Sequence, residues 1–428
     1  MPPRLLRPSV LRAALLGLLV SLGACVTDRA LTPDDYRDRL PALEARVAQS
    51  PQDVDALVAL GEARAQAGHL LEAHEPLDRA LALQPQHPKA LYYRGVVSEG
   101  LGRRDEALGL YARYEGIART SPYRRLMAGR HAWLLRLMVR DELSALLAAE
   151  DSLAGVTTTE AVAVFPFTYR GSDEQYRPIG RGLSEMVTED LAAVERIRVV
   201  ERIRLHVLLD ELDLAQGGAF DAATAPRLGR ILRSGRVVGG TVTVEDEAIQ
   251  SDVGLWVWER DALPDLNSRE ADLADLFRHE KEIVFGIIDG LGIELTDAER
   301  ERVERIPTRN LQAFLSYSRG LMEEDAGNFA GAAELFGRAA TLDPGFTRAA
   351  ENAQQARTVA SVAGPVTNAL DAGRSTRGDG SKLVGTRLSQ LTDDLGAHLV
   401  SEWDTRTLVV ESITVTVGEP PPPPPSGN

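Results

Sequence analysis

The sequence predicts an α+β multidomain fold, in which helical hairpins of one repeating type accompany an α/β domain whose central sheet is flanked by helices. Two observations carry this prediction. Glycines and other small residues recur at a 34-residue spacing, as Gly61, Gly68 and Ala73 and again as Gly95, Gly102 and Ala107. Between about residues 159 and 304 the pattern changes from helical period to short apolar runs alternating with helices. Composition agrees: 428 residues, 44% apolar and 5% aromatic, suit a helix-rich globular chain of two to four domains.

At the amino end, Arg4, Arg7 and Arg12 precede an apolar run from Ala13 to Ala24 that closes in small residues before Cys25. This is the charged, apolar and cleavage-region order of an export signal, and the run is too short to span a bilayer stably. Leu22-Gly23-Ala24-Cys25 resembles the lipobox of bacterial lipoproteins. That resemblance implies cleavage after residue 24, a diacylglyceryl group on the Cys25 thiol and a lipid-anchored mature chain. Cys25 is the one cysteine of the sequence, so no other thiol competes and no intrachain disulfide can form. Val26 stands where inner-membrane retention usually wants aspartate, which points to the outer membrane, facing the periplasm. Residues 1–24 are thus read as signal peptide and 25–31 as a lipidated linker.

The chain holds 48 basic and 63 acidic residues, for a formal charge of −15. Removing the signal takes three arginines and leaves 45 against 63, or −18. An acidic surface repels phosphate backbones, and no basic stripe interleaved with aromatics is present, so nucleic acid is not expected as a partner. The membrane is reached through the anchor alone.

A helical domain is expected over residues 32–155. Thr32-Pro33-Asp34-Asp35 reads as a helix start, with a capping threonine, proline in the first turn and acids complementing the dipole, and the helix runs to about Val47. In the 34-residue units that follow, small residues at 61 and 73 allow two helices to approach closely, Gly68 permits the turn between them and Pro85 ends the second helix. With Leu57, Leu77 and Ala80, both copies resemble tetratricopeptide repeats (TPR). The second departs at Tyr114, where a small residue is usual. Tyr123 to Val139 and Asp141 to Leu153 read as two further helices, with Leu126, Trp133 and Leu137 at helical spacing for packing. A third unit, Gly320, Gly327, Ala332, Phe336, Ala339 and Pro344, lies more than 200 residues downstream. Residues 310–360 are therefore expected to form one more hairpin and a capping helix from about Thr347 to Val359, packed against the intervening domain.

That domain, 159–304, opens with a strand at Ala161 to Phe165 and a helix from Gly180 to Val194. A second strand is expected at Ile197 to Val200, then a helix from Glu201 to Leu214 and another, capped by Asp221, to Leu232. Val237 to Val244 reads as a third strand. In a fourth, Val253, Leu255 and Val257 alternate with Trp256 and Trp258, which suits a strand covered on both faces. A helix from about Ala271 to Leu291 closes the unit with Leu273, Leu276, Ile283 and Ile287 on one face. Residues 361–428 turn to Gly, Ser, Thr and Asp and end in Pro420 to Pro425, as expected of a flexible tail. Within it, Leu383 to Leu399 allows a helix and Leu408 to Val417 a strand.

Val199-Val200-Glu201-Arg202, Leu205, Leu208-Leu209, Glu211, Leu228-Gly229 and Val237-Val238-Gly239-Gly240 together resemble the curli-assembly CsgG family. Val162 to Phe167 and Gly180-Arg181-Gly182 through Leu191 fit its opening strand and first helix. Related folds occur in the amino-terminal domain of TolB and in lipoprotein activators of peptidoglycan synthases. The resemblance implies either a subunit of a secretion pore or a periplasmic binding module. A pore needs barrel hairpins with strands of about 9 to 11 residues. Here the hairpin around Thr241 to Glu259 reads as interrupted by Glu245, Asp246 and Glu247, and Asp261 to Asp275 is acid-rich.

Chemical equipment is sparse. The lysines are Lys89, Lys281 and Lys382, none in the glycine context of a phosphate-binding loop, and no serine sits in a Gly-x-Ser-x-Gly elbow. The histidines are scattered: His279-Glu280 lacks a second histidine at zincin spacing. Acidic runs such as Glu299 to Glu304, interleaved with Arg300 and Arg302, read as solvated helix with intrahelical ion pairs. No catalytic residue, cofactor or metal site is assigned. The expected function is a non-enzymatic interaction scaffold in the cell envelope whose partners are envelope proteins or peptides, with homo-oligomerisation left open. A secretion-channel component is the alternative, and an envelope enzyme the third. If the repeats bind a peptide, the inward positions of their first helices are the candidates: Asp55, Val58, Glu62, Lys89, Tyr92 and Val96.

Overall fold

A computed structural model describes residues 31–149, 159–212, 225–257 and 269–376. The signal peptide, Cys25, Asp221, Trp258 and the helix and strand expected beyond residue 382 lie outside the described residues. The described residues open with six α-helices: α1 (Pro33–Gln49), α2 (Val54–Gln66), α3 (Leu70–Leu83), α4 (Pro88–Gly100), α5 (Arg104–Ala112) and α6 (Pro122–Ala148). Thr32 caps α1 as expected, and Asp35 returns the bond to the Thr32 backbone N–H in a capping box.

The repeat glycines are enforced by packing. A Cβ on Gly61 would lie 2.4 Å from Leu77, one on Gly95 2.4 Å from Tyr111, and one on Gly320 2.6 Å from Phe336. Each is the point where the hairpin's two helices touch, so a side chain there would force them apart. The turn glycines Gly68, Gly102 and Gly327 have φ of 85°, 78° and 79°, the left-handed region that glycine enters without steric cost. At the departure noted at Tyr114, α5 stops at Ala112 and Arg113–Gly116 forms a tighter 3₁₀ turn.

The two helices expected beyond residue 122 are one continuous 27-residue helix, α6. No glycine or proline breaks it at Arg140-Asp141, and its two halves bury against different partners. Leu126, Met127 and Leu134 belong to the core of the first two repeats, whereas Val139 and Leu143 belong to a core beneath the sheet of the α/β domain.

That domain contains β1 (Thr159–Val164), β2 (Thr168–Tyr169), α7 (Pro178–Ala192), α8 (Arg202–Glu211), α9 (Ala225–Ile231), β3 (Ser234–Glu245), β4 (Ala248–Val257), β5 (Arg269–Asp272), α10 (Leu276–Gly290) and α11 (Asp297–Val303). The sheet order is β1-β3-β4-β5, with β1 and β2 both parallel to β3 and the β3–β4–β5 run antiparallel. Val162, Val238, Val242 and Leu255 pack on α7 and α10, while Ala163, Phe165, Val237 and Trp256 pack on α6, α8 and α9. Around Leu255 and Trp256 both faces are covered, as the alternation there predicts, while Gln250 and Asp252 farther along β4 are exposed. The Ile197–Val200 segment makes only a single parallel bridge, Val199 to Val162, instead of a strand. Glu245-Asp246-Glu247 does not interrupt the hairpin. Asp246 and Glu247, at φ 48° and 64°, are its two-residue turn, with Glu245 paired to Ala248. The helix expected from Ala271 begins instead at Leu276, because Arg269–Asp272 adds the edge strand β5 to β4.

The chain ends its described part with α12 (Leu311–Asp325), α13 (Phe329–Leu342), α14 (Thr347–Val362) and α15 (Val366–Ser375). α12 and α13 are the third repeat. Phe314 and Leu315 of α12 enter the α7–α10 core, and Gly182 makes room for them: a Cβ there would lie 2.0 Å from Ser318 Oγ and 2.6 Å from Phe314. Gly180-Arg181-Gly182 is thus a helix-packing surface. Val366–Ser375 is helical, a correction to the flexible-tail expectation for residues 361–428, and Ala369 is buried in the core of the first two repeats.

Candidate interaction site

The inner face of the first two repeats is formed by α2 and α4. Asp53 caps α2 by accepting from the Ala56 N–H, and His87 caps α4 through Nδ1, which accepts from the Ala90 N–H at 3.2 Å. Each capped helix then repeats its inward residues every three or four positions. Asp55 sits exposed in the first turn of α2. Val58, Glu62, Tyr92 and Val96 are buried, and Lys89 is half-buried. The structure joins two of the six candidates into one polar group: Lys89 Nζ donates to Glu62 at 2.6 Å, and Tyr93, packed edge-on to Tyr92 at 5.4 Å between ring centres, donates to the same carboxylate at 3.3 Å. Asp55 lies at the rim, and Val58 and Val96 belong to the apolar core below.

Tyr92 is covered because α15 returns to lie over it. Tyr92 Oη donates to the Ala369 carbonyl, and Gln66 Nε2 donates to the Leu370 carbonyl at 2.8 Å. Arg374 Nη1 donates to Gln66 Oε1 at 2.7 Å. Tyr123 stands beside Tyr92, 5.7 Å between ring centres, and accepts from Thr376 Oγ1 at 3.3 Å. Burial pushes the Tyr92, Tyr93 and Tyr111 hydroxyls well above their ordinary pKa, so they stay protonated and act as donors.

Ahead of α15 the chain is clamped. Arg130, on α6, donates to the Val362 and Gly364 carbonyls at 2.6 and 2.8 Å while its other nitrogens are held by Glu99 at 2.8 and 2.6 Å. A bidentate arginine–carboxylate pair fixes the guanidinium plane, so the two carbonyls are read at a set position. Sequence reasoning missed Gln66, Tyr93, Glu99, Tyr123 and Arg130. Gln66 is one turn beyond Glu62 on the same helix face, which was the available signal; nothing in the sequence pairs Arg130 with residue 364.

A second charged cluster joins the third repeat to the α/β domain. Asp325 accepts from Arg181 Nε at 2.7 Å and faces His206 Nδ1 at 3.3 Å, Arg181 Nη1 donates to Glu185 at 2.9 Å, and Arg202 pairs with Glu324. Burial drives the His206 pKa down to about 3, with Arg181 and Arg202 adding to the drop. Burial alone would raise Asp325, but Arg181, His206 and Arg202 outweigh it and hold the carboxyl at about 2.

Ser251 Oγ and His279 Nε2 lie 2.7 Å apart, and each residue is 1% exposed inside the sheet–α10 core. Among the described residues, no group of three or more His, Cys, Asp or Glu is placed to hold a metal ion, and no helix is long and apolar enough to cross a membrane.

Residues 149–255 match the family model for the curli production assembly/transport component CsgG, and residues 58–122 match that of the tetratricopeptide repeat. The chain therefore carries TPR repeats and a CsgG-type domain; the third hairpin lies beyond the repeat match. No curated protein matches the chain. Similar solved structures include a tetratricopeptide repeat protein from Parabacteroides merdae ATCC 43184, at 14% identity, covering 76% of this chain and 93% of that one with a TM-score of 0.22. Yeast Tom70 is similar at 14% identity, covering 73% and 59% with a TM-score of 0.23. TM-scores this low establish no structural equivalence.

Proposed function

We propose that the protein is a lipid-anchored periplasmic scaffold of the cell envelope, attached through Cys25 to the outer membrane and acting without enzymatic chemistry to hold envelope proteins or peptides. The observation that carries the reading is the seating of α15 on α2 and α4, which supports taking their inner face as a surface for a helix. An assembly role agrees with the CsgG match, and protein binding with the repeat match. Anchoring would confine the search for partners to a thin layer and raise their effective concentration. Of the candidate contacts, Asp55 and Lys89 are reachable with α15 in place, and Tyr92 becomes reachable when it leaves. Self-association through the same face belongs to this reading.

The test is site-specific photocrosslinking in cells, with the probe at Asp55 and, as control, at the exposed Leu71 of α3. Discrete envelope adducts from position 55 and none from 71 are expected; the same adducts from both, or none from either, would count against the reading. Acyl labelling should disappear in Cys25→Ser, and labelling that persists removes the anchor.

A further inference from the structure

We infer that α15 is the groove's own ligand in cis, and that the groove takes in trans an amphipathic helix with small residues four apart, which displaces α15. This rests on the scaffold reading above and adds its regulation and the chemistry of its partner. Tyr92 and Gln66 donate to main-chain carbonyls of α15, so the groove reads helix backbone, which any helix presents.

Selectivity comes from closeness. Ala369 is fully buried, and a Cβ on Gly373 would stand 2.7 Å from Tyr93 Oη and 3.0 Å from Tyr92 Cε1. Only helices with Ala or Gly at the first position and Gly at the second fit, and an arginine following the second, as Arg374 does, meets Gln66. Val366, Leu370 and Ala372 supply a partly buried apolar flank, so the partner is amphipathic.

α15 is also held in a way that suits release. It buries fully only Ala369 and Gly373, the smallest side chains, whereas α14 buries Ala349, Ala353, Ala356, Val359 and Val362. Its hold on the groove is mostly hydrogen bonds that water or another helix can replace. Between the two helices, Gly364 at φ 99° and Pro365 form a short joint. The Arg130 clamp ends at Gly364, so α14 stays docked on α6 while α15 swings.

The experiment uses the full chain and a fluorescent peptide of residues 363–376, read by anisotropy. Gly373→Leu, by clashing with Tyr93, should vacate the groove and bind the peptide at least ten-fold more tightly than the wild-type chain does. A peptide carrying the same change should not bind. Equal affinity of both chains, or no binding to a Gly373→Leu chain of unchanged helicity, overturns the inference. Collapse of that variant would make α15 a structural strap and overturns it too. Hydrogen exchange on the wild type gives a second readout: amides 369–376 should exchange faster than those of α4 and α6, and equal protection sinks the idea. A wild-type dimer exchanging α15 between copies would replace the proposed partner with a second chain. Because no envelope protein is present, failure here with crosslinks at Asp55 retained removes the plug and leaves the scaffold, while the reverse pattern does the opposite.

Discussion

The same helical hairpin meets a helix in two different ways in this molecule. In the first two repeats, the inner helices α2 and α4 hold α15 through hydrogen bonds to its backbone and through the absence of side chains at Ala369 and Gly373. In the third, α12 presses directly on α7, with Phe314 and Leu315 in a shared core and Arg181, Arg202 and His206 locked to Glu324 and Asp325. One contact is apolar-poor and readable by any suitable helix. The other is specific, charged and built to stay closed. The repeat thus fixes where a helix lies, and the residues added to it decide whether that helix can leave.

Four changes would break or sharpen this contrast. Asp325→Ala leaves Arg181 and its neighbours without their shared carboxylate, and the thermal or denaturant midpoint should show a loss of about 3 kcal/mol. An unchanged midpoint would place the third repeat in the readily released class. Acid should act at the same joint. Above pH 6.5 His206 is neutral folded and unfolded; as pH falls below that, the unfolded chain takes up a proton that the folded site, with its pKa of about 3, refuses. Between pH 7.5 and 5 this withdraws about 2 kcal/mol, and His206→Gln should flatten the profile over that range. Asp325, at about 2, adds a further loss only below about pH 4, as its carboxylate is protonated first in the unfolded chain.

Gly182→Val pushes a side chain into Ser318 and Phe314 and should cost about 1–3 kcal/mol of global stability. The smallest effect is expected from Tyr92→Phe, which removes one hydrogen bond, worth about 1 kcal/mol. It should appear as faster exchange confined to the amides of α15, with the global midpoint almost unmoved. A global loss equal to that of Gly182→Val would erase the distinction between the two contacts.

What the sequence displays depends on whether an element's stability is its own. The repeats are legible because Gly61, Gly95 and Gly320 face Leu77, Tyr111 and Phe336, partners within the same hairpin. Helix α15 is not: Thr367, Asn368, Asp371 and Ser375 give it the composition of a loop, and its order comes from a groove almost 300 residues earlier. The edge strand β5, Arg-Glu-Ala-Asp, has too little apolar pattern to read as anything but an acidic stretch. At the candidate site the inward positions could be counted from helical period, and Glu62 and Lys89 do meet. Their occupant could not, because period reports which face is covered and says nothing of what covers it.

The long helix α6 bears on how the molecule comes apart. At 1.5 Å per residue it runs about 40 Å, with Met127 in one core and Leu143 in another. Neither module owns it, so neither can melt without fraying a helix that the other still needs. Two modules recognisable separately in the sequence are thereby made into one thermodynamic unit, expected to unfold in a single transition.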